Sequence, residues 1–382
     1  MNPLPRVLVL CALILAIAYP AAQCAELDVI PKEQATEIEG SPLLWYDLRA
    51  LDVEGKGWTD TESFYDRLPA KAKGKVPNSV WGLSLASAGM SARFTTDATA
   101  ISARWKLRQK RIGMHHMAPS GVSSLDLYVR HESAWRWLGY TPAREFPSNE
   151  GSFVTGLSPE SREYQIYLPL YNGVEEVLIG LPKEATLSKA PTYPKDKRKP
   201  IVFYGTSITQ GACASRPGMA YPAIIGRRLN RPTINLGFSG NGRMQPGVEA
   251  IFPELDAVLF VIDCLPNMGG SEVRERALPF LRTLRERHPA TPIILTEDRD
   301  YGQAFLRKET RDGQTDRRNA LRETYDTLQA EGVPNLHYIP ATGQIGTDGE
   351  ALVDGSHPND LGMMRLADAF APVIEEVLED TE

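Results

Sequence analysis

Two different periodicities divide the chain. From about residue 27 to 187, apolar residues come in short runs rich in β-branched and aromatic side chains: Ser79–Leu85, Ser91–Thr95, Ala100–Leu107, Ser124–Arg130, Trp135–Tyr140, Glu163–Leu168 and Glu176–Ile179. Clusters of Gly, Pro, Asn or Asp separate most of them, and strands spaced this way predict a β-sandwich of jelly-roll type. Beyond Pro200 the apolar runs become continuous, at Ile201–Tyr204, Thr233–Leu236, Ala257–Asp263, Pro292–Thr296 and Leu336–Ile339. They alternate with helical stretches at Ala220–Leu229, Val273–His288, Asp316–Glu331 and Leu361–Leu378. Uniformly apolar strands between helices predict a parallel sheet covered on both faces, a three-layer α/β/α domain. Gly332 stands where a left-handed residue would end the third of these helices. The proline-rich, charged segment Pro191-Thr192-Tyr193-Pro194-Lys195-Asp196-Lys197-Arg198-Lys199 reads as a linker. The expected organisation is therefore a β-sandwich over 26–189, a linker over 190–199 and an α/β/α domain over 200–382, with no internal repeat.

Composition adds limits to this picture. A chain of 382 residues favours two domains over one. Its 42% hydrophobic and 24% charged residues are ordinary for globular protein and exclude extended disorder. The net charge of −6 argues against a nucleic-acid partner, which needs a concentrated basic face. Met1 to Arg6 is a short, positively charged start, followed by an apolar run from Val7 to Ala18 and small residues at Ala21, Ala22 and Ala25. That pattern predicts a signal peptide over residues 1–25 and export to a periplasmic or extracellular space. The run is too short to span a bilayer comfortably and no other apolar stretch approaches that length, so no stable membrane span is expected. Cys11 and Cys24 leave with such a peptide. Cys213 and Cys264 remain, either as two buried free thiols or as one disulfide in an oxidising compartment.

The chemistry-bearing residues cluster in the second half. In a doubly wound sheet, sites form beyond the carboxyl ends of the strands. Gly205-Thr206-Ser207 follows the first strand there, and Leu236-Gly237-Phe238-Ser239-Gly240-Asn241-Gly242 follows the second. Asp263-Cys264-Leu265-Pro266-Asn267 follows the third, and Asp354-Gly355-Ser356-His357 follows the fifth. A serine hydroxyl is a weak nucleophile and needs a neighbouring base, which His357 can supply. Asp354 can hold the tautomer of that imidazole, or merely cap the turn before the last helix. Backbone N–H groups of Ser207 and Gly240, with the Asn267 amide, form a candidate oxyanion hole. Gly240 alternatively serves only a turn with φ > 0, and Asp263 rivals Asn267 for the polar role at its strand end.

These four blocks, in this order, resemble the SGNH (GDSL-like) hydrolases. Ser207 matches the nucleophile block, Gly240 the glycine block, Asn267 the asparagine block and Asp354-Gly355-Ser356-His357-Pro358 the Asp-x-x-His block. The likeness spans roughly residues 200–376. Upstream, Ser124-Leu125-Asp126-Leu127-Tyr128 is similar to the Gly-x-Asp-Leu-Tyr signature of a subgroup with an N-terminal β-domain, with Ser124 in place of glycine. Two departures stand in the catalytic half: Thr206 replaces the usual aspartate, and Leu265-Pro266-Asn267 replaces Gly-x-Asn-Asp. The resemblance implies an ester hydrolase working through an acyl-enzyme without metal or organic cofactor. The implied partner is an acylated carbohydrate bearing O-acetyl groups, or another small ester. A lipid or thioester acylhydrolase, and a non-catalytic carbohydrate-binding protein, are the competing expectations.

Other polar residues are weaker candidates. Arg216 and Arg243 follow the serine and glycine blocks and could contact substrate polar groups, although a solvated or paired arginine is the default. Met114-His115-His116-Met117 could border the cleft through His116. Two adjacent histidines lack a coherent ligand set, so no metal site is expected. All six tryptophans (Trp45, Trp58, Trp81, Trp105, Trp135 and Trp137) lie in the β-rich half, where most are expected to be core. Asp126 is expected to be structural.

Overall fold

The computed structural model describes residues 28–381. The signal peptide expected over residues 1–25 lies outside them, as do Cys11 and Cys24.

Two antiparallel sheets build the N-terminal part. One has the order β1-β2-β9-β4-β7, from Thr36–Glu37, Leu43–Asp47, Val174–Pro182, Ala100–Leu107 and Ser148–Thr155. The other has the order β10-β3-β8-β5-β6, from Leu187–Lys189, Ser91–Thr96, Arg162–Tyr167, Leu125–His131 and Ala134–Thr141. Inward residues of both sheets share one core, with Leu44, Ile101, Trp105 and Ile179 from the first packing with Phe94, Leu127, Tyr164 and Ile166 from the second. Six of the seven runs read as strands from sequence are strands here. Ser79–Leu85 is not: Asn78–Ser84 forms the helix α1. Its buried residues Val80 and Ser84 are four apart, a helical spacing, and the run lacks the β-branched density of its neighbours. Strand β7 carries no strand signal in the sequence, because it lies at a sheet edge and is largely polar and exposed. A second short helix, α2 (Pro119–Val122), precedes β5.

Beyond the linker lies a five-stranded parallel sheet. Its strands are β11 (Ile201–Gly205), β12 (Thr233–Gly237), β13 (Leu259–Asp263), β14 (Ile293–Thr296) and β15 (Leu336–Ile339), in the order β12-β11-β13-β14-β15. The helices are α3 (Ser207–Gln210), α4 (Tyr221–Leu229), α5 (Pro246–Glu249), α6 (Gly270–Arg287), α7 (Lys308–Ala330) and α8 (Asp360–Glu379). Alternation along the strands sorts the core into two layers. Val202, Tyr204, Phe260 and Ile262 face α6 and α7, while Ile201, Phe203, Leu259 and Val261 face α4 and α8. Helix α7 starts eight residues before the sequence pattern indicated, because its first two turns are almost wholly polar and carry no apolar period. It ends as expected, with Gly332 at φ +75°.

The two halves share core and hydrogen bonds. Trp58, Leu68, Ala72, Val76 and Val80 pack into the α6/α7 side of the parallel sheet. Arg67 is fully buried, donating to Leu83 O and Ala86 O on its own side and to Asn235 O and Gly237 O at the end of β12. Burial pushes its guanidinium down to about 9. In the segment expected to be a linker, Tyr193 donates to Glu54 at 2.9 Å and lies under the Arg93 guanidinium.

Candidate functional site

Strand β11 ends at Gly205, where an added Cβ would lie 2.1 Å from Thr209 Oγ1 and 2.6 Å from Asp263 O. The chain turns there directly into α3. Thr206 caps that turn, its Oγ1 accepting the Ile208 N–H at 3.3 Å. A threonine thus does the capping work open to an aspartate. Ser207 is the first helical residue, so its own N–H has no intrahelical acceptor. The residue is 6% exposed.

Three of the sequence-selected residues form a continuous chain of hydrogen bonds. Ser207 Oγ lies 2.9 Å from His357 Nε2, and His357 Nδ1 lies 2.7 Å from Asp354 Oδ2. The second Asp354 oxygen accepts the N–H groups of Ser356 (3.0 Å) and His357 (2.8 Å). The aspartate therefore caps its own turn and holds the imidazole at once. Burial alone would raise the Asp354 carboxyl, but these N–H groups and the imidazole outweigh it and hold it down at about 2. With Nδ1 facing a carboxylate, the neutral imidazole carries its proton there, which leaves Nε2 as the base toward Ser207.

Gly240 lies in the loop after β12, which meets the end of β11 at Gly242, where an added Cβ would lie 1.9 Å from Gly205 O. Gly240 has φ +70°, a conformation that favours glycine, so the turn requirement is real. Its carbonyl accepts from Arg243 Nε at 2.9 Å, and Arg243 also pairs with Glu272 at 3.6 Å. Asn267, in the short turn after β13, has its amide oriented by the surrounding donors. With the amide assigned so that its oxygen faces donors, that oxygen accepts the N–H groups of Asn241 (3.0 Å) and Gly242 (3.2 Å). That leaves the Asn267 NH₂ as a donor. Asp263 is turned into the core instead, accepting from Thr209 (3.0 Å), Tyr221 (3.0 Å) and Thr296 (3.2 Å). Burial pushes its carboxyl up to about 6, with Arg299 and these hydroxyls limiting the rise.

Arg216 takes a structural set of partners. Its guanidinium donates to Asp126 at 3.1 Å and to the Tyr128 hydroxyl, and lies over the Trp137 ring at 4.9 Å. Asp126 is fully buried and also accepts from Trp137 Nε1 and the Gly218 N–H. The Gly-x-Asp-Leu-Tyr-like segment thus ties the β-half to the chain just after the nucleophile. His116 comes close to the centre, its ring 5.5 Å from that of His357. Burial, then the neighbouring histidines, hold it below the usual histidine range. Cys213 and Cys264 are buried free thiols. Burial, aided by the Asp354 charge, pushes Cys213 up to about 12, so it is no rival nucleophile.

Several supporting residues carried no sequence signal. Tyr171, from the β-half, donates to Ser207 O at 3.2 Å. Gln210 and Asn235 fasten α3 to Leu170 O, the Ser239 N–H and the β12 backbone. Arg299 is buried behind the histidine loop and donates to Ser356 O and Oγ. Only their long-range partners distinguish them from ordinary polar residues.

Comparison with known proteins agrees with this architecture. Residues 198–375 match the GDSL-like lipase/acylhydrolase family, and residues 43–187 match the GxDLY N-terminus of SGNH-hydrolase-type esterases. A GDSL-like lipase structure from Bacteroides ovatus is 33% identical, with a TM-score of 0.83 over 88% of this chain and 98% of that chain. A salicylyl-acyltransferase from a tetracycline biosynthetic pathway is 20% identical, with a TM-score of 0.71 over 89% of this chain and 98% of that one. A family two carbohydrate esterase from Clostridium thermocellum is 15% identical, with a TM-score of 0.56 over 77% of this chain and 94% of that one. The last two share the fold alone. No curated protein matched. The chain belongs to the GDSL-like lipase/acylhydrolase family of SGNH hydrolases, with the GxDLY-type N-terminal half.

Proposed function

We propose that this protein is an exported serine esterase that removes O-acetyl groups from a carbohydrate through an acyl-enzyme. One observation carries the hydrolytic part: the unbroken relay from Ser207 through His357 to Asp354. His357 Nε2 takes the Ser207 proton as Oγ attacks the ester carbonyl, and Asp354 stabilises the imidazolium that forms. The N–H groups of Ser207 and Gly240 and the Asn267 NH₂ receive the oxyanion. Each such donor contributes about 3–4 kcal/mol to the transition state. Collapse expels the alcohol, which takes the proton from His357. Water then repeats the sequence on the acyl-enzyme.

The carbohydrate assignment is supported by the shared fold with a carbohydrate esterase, and by polar, glycine-rich loops around the serine. Export rests on the residue 1–25 pattern; no helix among the described residues is long and apolar enough to cross a membrane. A jelly-roll reading of the β-half rests on its two strand orders. Acetate release from acetylated glycans, lost in Ser207→Ala, is the expected result. No release from any of them would refute the substrate class, and full activity in Ser207→Ala would refute the mechanism.

A second reading has its own observation. Phe305 (77% exposed), Leu306 (76%) and Val353 (47%) leave large apolar side chains open to solvent. The segment that carries Phe305 and Leu306 is tied to the histidine loop, which carries Val353, by the Gly302 N–H donating to Gly355 O at 2.8 Å. Exposed apolar side chains on these two segments suit a lipid or thioester acyl chain. An acyl-length series on aryl esters decides: a peak at acetyl supports the deacetylase, and a peak at long chains supports this alternative.

A further inference from the structure

The His115-His116 pair has no further ligands near it in sequence, but the fold brings two to His116. His116, Cys213 and His357 come from three separate segments, and their donor atoms all lie within 4.8 Å of one another. The Met114/Met117 bridge closes a tight turn around the two histidines, with backbone bonds of 2.9 and 3.3 Å. His116 Nδ1 is buried and has no hydrogen-bond partner. An orphaned buried polar atom beside a second imidazole calls for an explanation. Cys213 is buried and held at φ +67°, an uncommon conformation for a side-chain-bearing residue. His357 has its Nδ1 on the Asp354 carboxylate at 2.7 Å. That carboxylate–imidazole contact also orients histidine ligands in zinc sites and aims Nε2 at the metal.

We infer that His116, Cys213 and His357 form a zinc site that switches the hydrolase off. Two nitrogens and a sulfur suit Zn²⁺ and leave a fourth tetrahedral position for water. With Zn–N of about 2.0–2.1 Å and Zn–S of about 2.3 Å, ligand atoms sit roughly 3.3–3.8 Å apart. Side-chain rotations that move the donor atoms by about 1 Å bring the present spacing to that of a tetrahedral shell. On binding, the Cys213 thiol proton leaves to solvent as the Zn–S bond forms. His357 Nε2 exchanges its contact with Ser207 for the metal, so the serine loses its base. The consequence for activity rests on the proposed role of His357; the binding itself does not.

Titrating full-length Ser207→Ala with ZnCl₂ by calorimetry tests binding without activity. One equivalent is expected, with affinity at least tenfold weaker in Ser207→Ala carrying Cys213→Ala or His116→Gln. Co²⁺ in the same protein should show a thiolate-to-cobalt charge-transfer band that Cys213→Ser lacks. In the otherwise wild-type chain, Zn²⁺ should inhibit ester hydrolysis reversibly, with chelator restoring it, and Cys213→Ala and Cys213→Ser should each need at least tenfold more zinc. Absence of stoichiometric binding, no thiolate band, or equal zinc sensitivity in both cysteine variants would overturn the site. Undiminished hydrolysis by Ser207→Ala would instead strike the functional reading and leave the binding result standing.

Discussion

Asn267 is the member of the proposed oxyanion hole whose two possible roles can be separated by substitution. Its amide oxygen accepts from Asn241 and Gly242, so the residue is part of the loop scaffold whether or not its NH₂ meets an oxyanion. Those two N–H groups also reach Phe238 O, at 2.8 and 2.9 Å. Removing the Asn267 oxygen therefore leaves neither donor without an acceptor, and Asn267→Ala should cost only about 1 kcal/mol of stability. Its kcat should fall about 10²–10³-fold, the loss of about 3–4 kcal/mol expected for one oxyanion donor. Asn267→Asp sharpens the contrast. One carboxylate oxygen can accept the same two N–H groups, so the loop is retained. The other replaces the donor with negative charge beside the developing oxyanion. Its kcat should fall at least as far as that of the alanine variant, with KM and Tm little changed. Steady-state hydrolysis of an aryl acetate, alongside thermal denaturation, provides both readings. An Asn267→Asp enzyme keeping more than a tenth of wild-type kcat would show that Asn267 is scaffold only, and the oxyanion would need another donor.

Three further outcomes follow from the geometry. Asp354→Asn should lower kcat about 10⁴-fold with Tm nearly preserved, because an amide accepts and donates differently at His357 Nδ1 and loses the tautomer control; a drop below tenfold in aryl ester turnover would contradict the relay. Arg67→Met should destabilise the protein by about 3 kcal/mol or more in urea unfolding, since four carbonyls lose a charged donor in a buried site. A loss below about 1 kcal/mol would show that those groups find other partners. Asp263 is raised from 3.8 to about 6 in the folded state, so the folded form holds its proton longer than the unfolded chain. Its contribution is intact below the unfolded value and is lost as pH rises through about 6, amounting to about 3 kcal/mol. The stability of Asp263→Asn relative to wild type should therefore improve between pH 4 and pH 7, and a pH-independent difference in urea midpoints would refute this.

The parallel sheet was legible because its strands are largely buried on both faces and read as continuous apolar runs, with β15 falling where its pattern placed it. The antiparallel half was less so. Its edge strand β7 is polar, and α1 looked like a strand because seven residues hold too few turns to separate a helical period from a short apolar run. Ser207 stands just past the end of β11, a local property of the chain, whereas the hydrogen bonds that join it through His357 to Asp354 link segments 150 residues apart.

What the sequence determined by itself was the order of elements and the identity of the residues at the carboxyl edge of the sheet, since both follow from local periodicity and from the short links between strand and loop. Tertiary structure alone decided the partners. Arg216 and Asp126, 90 positions apart, proved to be an ion pair with a buried carboxylate, joining the two halves. Trp58, Leu68, Ala72, Val76 and Val80 joined the core of the other half, and Tyr171 reached the backbone of the nucleophile. His116 and Cys213 met His357 around one point. None of these contacts has a period or a motif: each depends on loop closures spanning tens to hundreds of residues, whose geometry is set by the packed cores rather than by the residues that finally touch.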